Sequence, residues 1–200
     1  MRTGGIVLCG GQSKRMGQTK ASLPFGDQTL LTRVVERISE AVSAVIVVAA
    51  VEQECGSLPK TAKLVHDDEP GRGPLAGLAA GLAALADNCE AAYVSSCDSP
   101  FVSPSVIRRL FELLGTDAIC VPYVDGRLHP LAAVYRVDVL PLVRSHLALS
   151  RLRLTDLVKE APTRLVGEIE LRDIDPEFES LRNVNTPAEY RQALKDAGFA

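Results

Sequence analysis

Short apolar runs alternate with longer segments of helical period along most of this chain, and this alternation predicts repeated β-α-β units. The expected strands are Gly5 to Cys9, Ala44 to Ala49, Ala62 to His66, Ala91 to Ser96 and Ala118 to Val121. Between them, residues 29–42 place their apolar side chains on one helical face, and residues 74–87 are almost entirely Ala, Leu and Gly. We therefore expect an α/β fold of three layers, Rossmann-like, with a mainly parallel sheet between helices.

The pattern changes in the second half of the chain. Asp125 and Gly126 form a dipeptide typical of a tight hairpin, and residues 129–135 follow it as a returning strand, which we expect to be antiparallel. Thr186 and Glu189 form a capping box around a proline, a pattern that starts a helix. The further expected helices are residues 104–114, residues 136–160 with breaks, and a last helix that stops at Gly198.

Composition suits a domain that needs no disulfide or structural metal. With 200 residues and 46% hydrophobic content, a chain of this size buries about 70% of its unfolded surface, so we expect one domain over residues 1–200. The formal net charge of −3 and the absence of tryptophan argue against nucleic acid or an anionic membrane as partners. The five cysteines form no C-x-x-C pair, and the longest apolar stretches are too short to span a bilayer. We expect a cytoplasmic protein.

A glycine-rich, basic segment follows the first expected strand. Residues 10–20 contain three glycines and three cations, Lys14, Arg15 and Lys20. Gly10 and Gly11 lack a side chain, so backbone N–H groups can approach a phosphate or a nucleobase edge while the cations supply charge. The spacing fits neither a Walker A loop nor G-x-G-x-x-G. We interpret the segment as a nucleotide-binding loop; a solvated surface turn is the alternative.

Three further polar motifs are expected beside that loop, because ligands of open parallel sheets bind beyond the carboxyl ends of the strands. Asp98 follows a buried strand, where its carboxylate suits Mg²⁺, an ion that takes only one or two carboxylates besides phosphate and water oxygens. The alternative is that Asp98 caps the helix near Ser103, although Ser103 is better placed for that role. The other two motifs are residues 67–77 and Asn183-Val184-Asn185-Thr186-Pro187.

The residue types favour a transfer reaction without a covalent enzyme intermediate. No Ser/His/Asp arrangement stands beside the glycine-rich loop. A phosphate monoester has a second pKa of about 6 and is mostly a dianion at neutral pH, so it acts as a nucleophile without a general base. Catalysis then consists of aligning two polyanions and stabilising the leaving pyrophosphate, a task for Mg²⁺, Arg15, Lys20 and backbone N–H groups.

Taken together, the motifs resemble those of the molybdenum cofactor guanylyltransferases, the MobA-like family of the nucleotidyltransferase superfamily. Residues 8–20 match L-x-G-G-x-S-x-R-M-G-x-x-K, and the later segments match G-P-L-A-G, C-D-x-P-F and N-V-N-T-P in the family's order. The resemblance implies a fold of the nucleotide-diphospho-sugar transferase type. It also implies transfer of GMP from GTP to the terminal phosphate of molybdopterin, free or molybdenum-loaded, with release of pyrophosphate.

The same resemblance implies site residues and partners. Arg15, Lys20 and Asp98 would be catalytic, with Mg²⁺ on Asp98, and Asn185 would lie beside the metal or the product phosphate. Asp67 would contact guanine or ribose, without a choice between them. Transient contacts with cofactor-biosynthesis and molybdoenzyme-maturation proteins are also expected. The full implied nucleotide and metal set is Leu8, Cys9, Gly10, Gly11, Ser13, Arg15, Lys20, Asp67, Asp98, Asn183 and Asn185.

Several alternatives stay open. Cys9 stands where the family commonly has alanine, which places a thiol beside the nucleotide. Arg72 is either a surface charge or a phosphate contact, and His129 either is structural or lines the second-substrate pocket; His66 and His146 are expected to be structural or solvated. The alternative activities are a molybdopterin cytidylyltransferase, another nucleotidyltransferase of this fold, or a non-catalytic nucleotide-binding regulator or scaffold.

Overall fold

The computed structural model describes residues 1–9, 20–51, 53, 55–67 and 71–199. Within them the strands are β1 (Thr3–Leu8), β2 (Pro24–Phe25), β3 (Gln28–Thr29), β4 (Ala44–Ala50), β5 (Ala62–Asp67), β6 (Ala91–Ser96), β7 (Ile119–Val124), β8 (Arg127–Leu128), β9 (Ala132–Arg136) and β10 (Thr163–Gly167). The α-helices are α1 (Leu30–Ser39), α2 (Gly73–Leu85), α3 (Pro104–Leu113), α4 (Leu140–Ala148), α5 (Leu154–Glu160) and α6 (Pro187–Asp196). None of the described helices is long and apolar enough to cross a membrane.

One mixed sheet runs through the molecule in the order β10-β7-β9-β6-β1-β4-β5, with β8 paired to β7. Strands β5, β4, β1 and β6 run parallel to one another, and β10 is parallel to β7. Strand β9 runs antiparallel to both β6 and β7. The mainly parallel sheet with a late antiparallel strand is therefore confirmed. Because Leu8 pairs with Ser96 on one side and with Val48 on the other, the carboxyl ends of β1, β4 and β6 share one edge.

Apolar side chains leave both faces of the sheet, and this alternation makes the fold three-layered. Ile6 and Leu8 of β1 join the core beneath α2, α4 and α5, whereas Val7 of β1 and Cys9, the next residue after the strand, join the core beneath α1 and α3. A buried aliphatic side chain of this kind contributes about 1.5–3 kcal/mol relative to an exposed one. The two cores therefore fix the position of the end of β1 from above and below.

Helix α2 packs closely on β1 because it presents glycines to the sheet. A Cβ added at Gly81 would lie 2.6 Å from Cγ2 of Ile6, and one added at Gly77 would lie 3.1 Å from Cδ2 of Leu8. Larger residues at these positions would lift the helix from the strand. The tight packing expected for this small-residue helix is thus confirmed.

The second half of the chain differs in detail from expectation. The helical region 136–160 is two helices, separated at Ser150, which adopts a left-handed φ of 54°. Strand β10 was not predicted, because only Val166 among its side chains is fully buried and Leu165 remains 46% exposed. Ser103 occupies the N-cap position of α3 as expected, but its hydroxyl pairs with that of Ser105 at 2.7 Å and caps no backbone N–H.

Candidate active site

Lys20 enters the crevice at the carboxyl edge of the sheet. It begins a single helical turn, residues 20–22, and its backbone carbonyl accepts a hydrogen bond from Leu23 N–H at 3.2 Å. Its ammonium donates to Oδ2 of Asp98 at 2.6 Å and to Oδ1 of Asn185 at 2.8 Å. Three segments far apart in sequence therefore meet at one nitrogen, as the expected convergence of motifs requires.

Asp98 is held rigidly at the end of β6. Its Oδ1 accepts a hydrogen bond from Ser96 Oγ at 2.5 Å, and its backbone carbonyl accepts one from Val184 N–H at 2.8 Å. The side chain is 12% exposed, so its charge is largely shielded from bulk water. Since Ser103 takes the N-cap position of α3, the capping alternative for Asp98 is not what the structure shows.

The two asparagines of the late motif have different neighbours. Asn185 faces Lys20, and its backbone N–H donates to Oε2 of Glu189 at 2.7 Å. Glu189 also accepts from Thr186 N–H at 3.0 Å, while Glu189 N–H donates to Thr186 Oγ1 at 3.2 Å, which is the expected capping box. The hydrogen bond from Asn185 N–H is the largest cause of a lowered pKa of the Glu189 carboxyl. The hydrogen bonds from Thr186 and the nearby charge of Lys20 lower this pKa further. Asn183 instead accepts from Ser99 Oγ at 2.9 Å.

The sequence did not lead us to expect the serine hydroxyls that surround Asp98. Ser96 Oγ lies 3.1 Å from Ser99 Oγ, so a chain of hydroxyls joins Asp98 to Asn183. The signal for this chain was present, because Ser95 and Ser96 interrupt an otherwise apolar strand. A polar pair at the end of a buried strand marks the point where hydrogen bonds must position a side chain.

The oxygens of Asp98 and Asn185 form a pair that already accommodates a cation. Both contact the Lys20 ammonium, so their lone pairs converge on one point of positive charge. No group of three or more His, Cys, Asp or Glu side chains within the described ranges is arranged to hold a metal ion. Mg²⁺ or Mn²⁺ requires fewer protein ligands, since one carboxylate with phosphate and water oxygens completes its shell. The donor set therefore fits a divalent ion bound together with a polyphosphate.

The other sequence-predicted residues lie at varying distances from this centre. Leu8 and Cys9 are buried at the end of β1, beside the start of the crevice. Asp67 ends β5, which is three strands from β6 and hence about 14 Å away. Arg72 donates to the backbone carbonyl of Leu147 in α4, a contact that favours a structural role over a phosphate contact. The remaining predicted residues, Gly10, Gly11, Ser13, Lys14 and Arg15, lie outside the described residues.

A cavity of about 190 Å³ adjoins this centre, and it is lined by Leu128, His129, Pro130, Leu131, Ala132, Leu181 and Asn183. Because β9 is antiparallel to β6, with Ala132 opposite Ser95, its beginning lies at the edge where β6 ends. Burial lowers the pKa of His129, so this imidazole is neutral near pH 7 and suits hydrogen bonding better than charge pairing.

The remaining histidines agree with expectation. His66 is exposed on β5, and His146 is buried with Nε2 3.0 Å from Oε2 of Glu160.

Comparisons with known proteins agree with this architecture. The model of the MobA-like NTP transferase domain matches residues 5–163. A probable molybdenum cofactor guanylyltransferase from Carboxydothermus hydrogenoformans is 33% identical over 190 residues, covering 94% of this chain and 93% of that protein. Molybdopterin-guanine dinucleotide biosynthesis protein A from Archaeoglobus fulgidus has a crystal structure with a TM-score of 0.81, 24% identity and coverage of 100% of both chains. The complex of Rv0371c from Mycobacterium tuberculosis with manganese has a TM-score of 0.66 and 18% identity, covering 98% of this chain and 99% of that one.

Proposed function

The chain belongs to the MobA-like NTP transferase family and is a nucleotidyltransferase, and we propose that it transfers GMP from GTP to the terminal phosphate of molybdopterin. The acceptor is free or molybdenum-loaded, and the products are molybdopterin guanine dinucleotide and pyrophosphate. The observation that carries the proposal is the meeting of Lys20, Asp98 and Asn185 at the carboxyl edge of the sheet. The name of the Carboxydothermus relative supports the choice of guanine nucleotide and of cofactor.

We assign the donor side of the crevice to GTP and a divalent ion, Mg²⁺. Asp98 would hold the ion with Asn185 beside it, and when bound the ion screens the charge of the triphosphate. Lys20 lies within reach of both ligands and donates to phosphate oxygens. Gly10, Gly11, Ser13 and Arg15 complete the donor site through backbone N–H groups and a guanidinium.

The acceptor side is assigned to the cavity at the start of β9. The cavity shares Asn183 with the motif that carries Asn185, so an acceptor phosphate bound there lies next to the donor site. The phosphate is its own nucleophile at neutral pH, and the half-buried, neutral His129 contributes a hydrogen bond to the acceptor and not a base. Asp67, at the far end of the edge, is assigned to the guanine or ribose of GTP.

The wider proposal follows from this chemistry. Residues 1–200 act as one nucleotidyltransferase domain, because the reactive groups come from its first and last segments alike. A reaction between GTP and a cofactor precursor belongs in the cytoplasm. Its product must reach other cofactor-biosynthesis and molybdoenzyme-maturation proteins, so contacts with them are transient.

A pyrophosphate-release assay with each nucleotide, Mg²⁺ and molybdopterin tests the proposal. We expect turnover with GTP and little with ATP or CTP, because a site that pairs with the guanine donors rejects other bases strongly. Equal turnover of CTP would move the assignment to a cytidylyltransferase. Binding of GTP without pyrophosphate release at any metal concentration would indicate a regulator and overturn the enzyme assignment.

A further inference from the structure

The three polar groups of the crevice stand on segments that are anchored in different ways. Asp98 lies just after β6, so the main sheet fixes its position. Lys20 instead begins the single turn before β2, and β2 and β3 form a small sheet of their own, apart from the main one. Asn185 lies just before α6. A further element is needed to hold Lys20 and Asn185 against Asp98.

A small apolar core beside the crevice, which we call the satellite core, supplies this element. Each of the three polar groups has a side chain of this core within three positions of it in sequence, and these near side chains are Leu23, Phe101 and Val184. The complete core consists of the buried residues Leu23, Phe25, Leu30, Val184 and Ala193, with the partly buried Phe101, Tyr190, Leu194 and Ala197 packed against them.

Phenylalanine rings form the centre of the satellite core. The ring of Phe25 is fully buried and meets the ring of Phe101 edge-on, with 6.1 Å between the centroids and 82° between the planes. It meets Phe199 in the same way, at 5.4 Å and 83°. The guanidinium of Arg182 lies over the Phe101 ring, 5.0 Å from its centroid. Edge-to-face and cation–π contacts depend on angle as well as on distance, so this row of side chains fixes relative orientations.

Hydrogen bonds carry this order to the crevice. The hydroxyl of Tyr190 donates to the backbone carbonyl of Pro24, which joins α6 to β2. Val184 N–H donates to the backbone carbonyl of Asp98 at 2.8 Å. The segments that carry the lysine and the asparagine are thus tied to each other and to the end of β6.

The satellite core is separate from the packing that supports the main sheet. Its buried residues belong to neither of the two cores that cover the faces of the sheet. Loss of its packing should therefore disturb the crevice before it disturbs the sheet, and this order separates a positioning role from a contribution to overall stability.

We propose that Phe25 is a positioning residue of the nucleotidyl transfer, acting through the satellite core on Lys20 and Asn185. It keeps the ammonium of Lys20 at 2.6 Å from Oδ2 of Asp98 and at 2.8 Å from Oδ1 of Asn185. A displacement of about 1 Å in groups that align reactants lowers a rate by up to about a hundredfold. The kinetic part of this inference rests on the proposed function, whereas the geometric part does not.

The kinetic test compares Phe25→Leu with Phe111→Leu. Leucine keeps position 25 apolar but removes both edge-on ring contacts. Phe111 is the matched control, because it is a partly buried phenylalanine that packs on the core beneath α1 and α3. In pyrophosphate release with Mg-GTP and molybdopterin, Phe25→Leu should lower kcat by about tenfold or more and change the KM for GTP less. Phe111→Leu should keep kcat near that of the wild type, although its thermal midpoint also falls.

A second readout does not depend on turnover. A carbodiimide couples a carboxylate to an amine that touches it, giving an amide while the reagent takes up the water and becomes a urea. The side chains of Lys20 and Asp98 are 20% and 12% exposed. Peptide mapping should therefore find them linked in the wild type and in Phe111→Leu, with a severalfold lower yield in Phe25→Leu. Phe199→Ala should lower the yield too, and its cost in stability is smaller because Phe199 is 45% exposed.

Contrary results separate the parts of the inference. An unchanged cross-link yield in Phe25→Leu overturns the positioning role, as does a wild type without the Lys20–Asp98 link. A lower yield with an unchanged kcat overturns the kinetic part. If Phe25→Leu fails to fold, Phe199→Ala decides by the same two readouts. If the wild type releases no pyrophosphate, the proposed function fails, and the cross-link yields alone decide whether the satellite core positions the crevice.

Discussion

Two polar clusters of this molecule each join three side chains, one of them a carboxylate, yet they are built in opposite ways. In the crevice, Lys20 reaches Asp98 and Asn185, which are 78 and 165 positions away in sequence. Between α4 and α5, Glu160 contacts His146, only 14 positions away, at 3.0 Å and Arg151 at 2.7 Å.

The two clusters also differ in how far their carboxylates are exposed. The side chain of Asp98 is 12% exposed and that of Glu160 is 42% exposed. A local, solvent-facing cluster supports the two helices that form it. A cluster assembled from distant segments requires the complete fold and keeps its charge shielded, which suits catalysis. Breaking the first cluster should therefore cost activity, and breaking the second should cost only stability.

The largest effect is expected from Asp98→Asn. The variant keeps the shape and the acceptor oxygen of the side chain but loses the charge that would hold the metal, so turnover should fall by about a hundredfold or more. The thermal midpoint should change by only a few degrees. The measurement is pyrophosphate release during a metal titration, with Asp173→Asn, a surface ion-pair partner of Arg109, as the control. Superimposable titration curves for the wild type and Asp98→Asn would remove Asp98 from the site.

Lys20→Ala should lower GTP affinity or turnover by about ten- to a hundredfold. The expected loss is that of charge-assisted hydrogen bonds to phosphate, worth about 1.5–3 kcal/mol each. Isothermal titration with GTP and steady-state kinetics measure the two effects separately. Lys63→Ala, which removes an exposed lysine from β5, is the matched control. If both variants behave alike, the crevice cluster has no special role for its lysine.

Asn185→Ala should lower turnover by about tenfold, consistent with the loss of one or two hydrogen bonds of about 1 kcal/mol each. Asn183→Ala should have a smaller effect on donor binding, since Asn183 faces Ser99 and the acceptor cavity. Its effect should appear in the KM for the acceptor. The pair of variants thus separates the two sides of the crevice, and an equal effect of both on the KM for GTP would contradict that separation.

Glu160→Gln should be the mildest change and should affect stability alone. Hydrogen bonds from Arg151 and then His146 lower the pKa of Glu160, so the folded state is favoured above the ordinary carboxyl pKa and loses this contribution as pH falls through the lowered value. At pH 7 the thermal midpoint should fall by about 2 °C or less, as for an exposed ion pair. As the pH falls through the lowered pKa of Glu160, the midpoints of wild type and variant should converge. A midpoint difference that grows in acid would reverse the sign and reject this account.

The sequence predicted β1, β4 and β6 well because these strands are buried on both faces. Strand β6 was predicted with its observed bounds, Ala91–Ser96, since every position up to its last residue is buried and apolar or small. Strand β10 could not be predicted, because an edge strand that is half exposed carries no strong apolar pattern. The hairpin of β2 and β3 was missed because each of its strands has only two residues, too few to show an alternating pattern.

The motifs that form the candidate site could be predicted from the sequence, but the contacts between their side chains could not. Nothing in the sequence shows that Lys20 meets Asn185 and not Asn183, because the choice depends on how Thr186 and Glu189 cap α6.

Strand β9 runs against both of its neighbours, and this single reversal has a consequence for how such enzymes diversify. The parallel strands have their carboxyl ends at the crevice. Strand β9 instead has its first residues there, together with the turn over residues 125–131 that precedes it. In the proposed assignment this turn supplies most of the acceptor side, whereas Lys20 and Asp98 of the donor side lie on other pieces of backbone. Mutation or grafting can alter that turn while the register between β1 and β6 stays fixed. Evolution can therefore exchange the acceptor while the donor machinery is inherited unchanged.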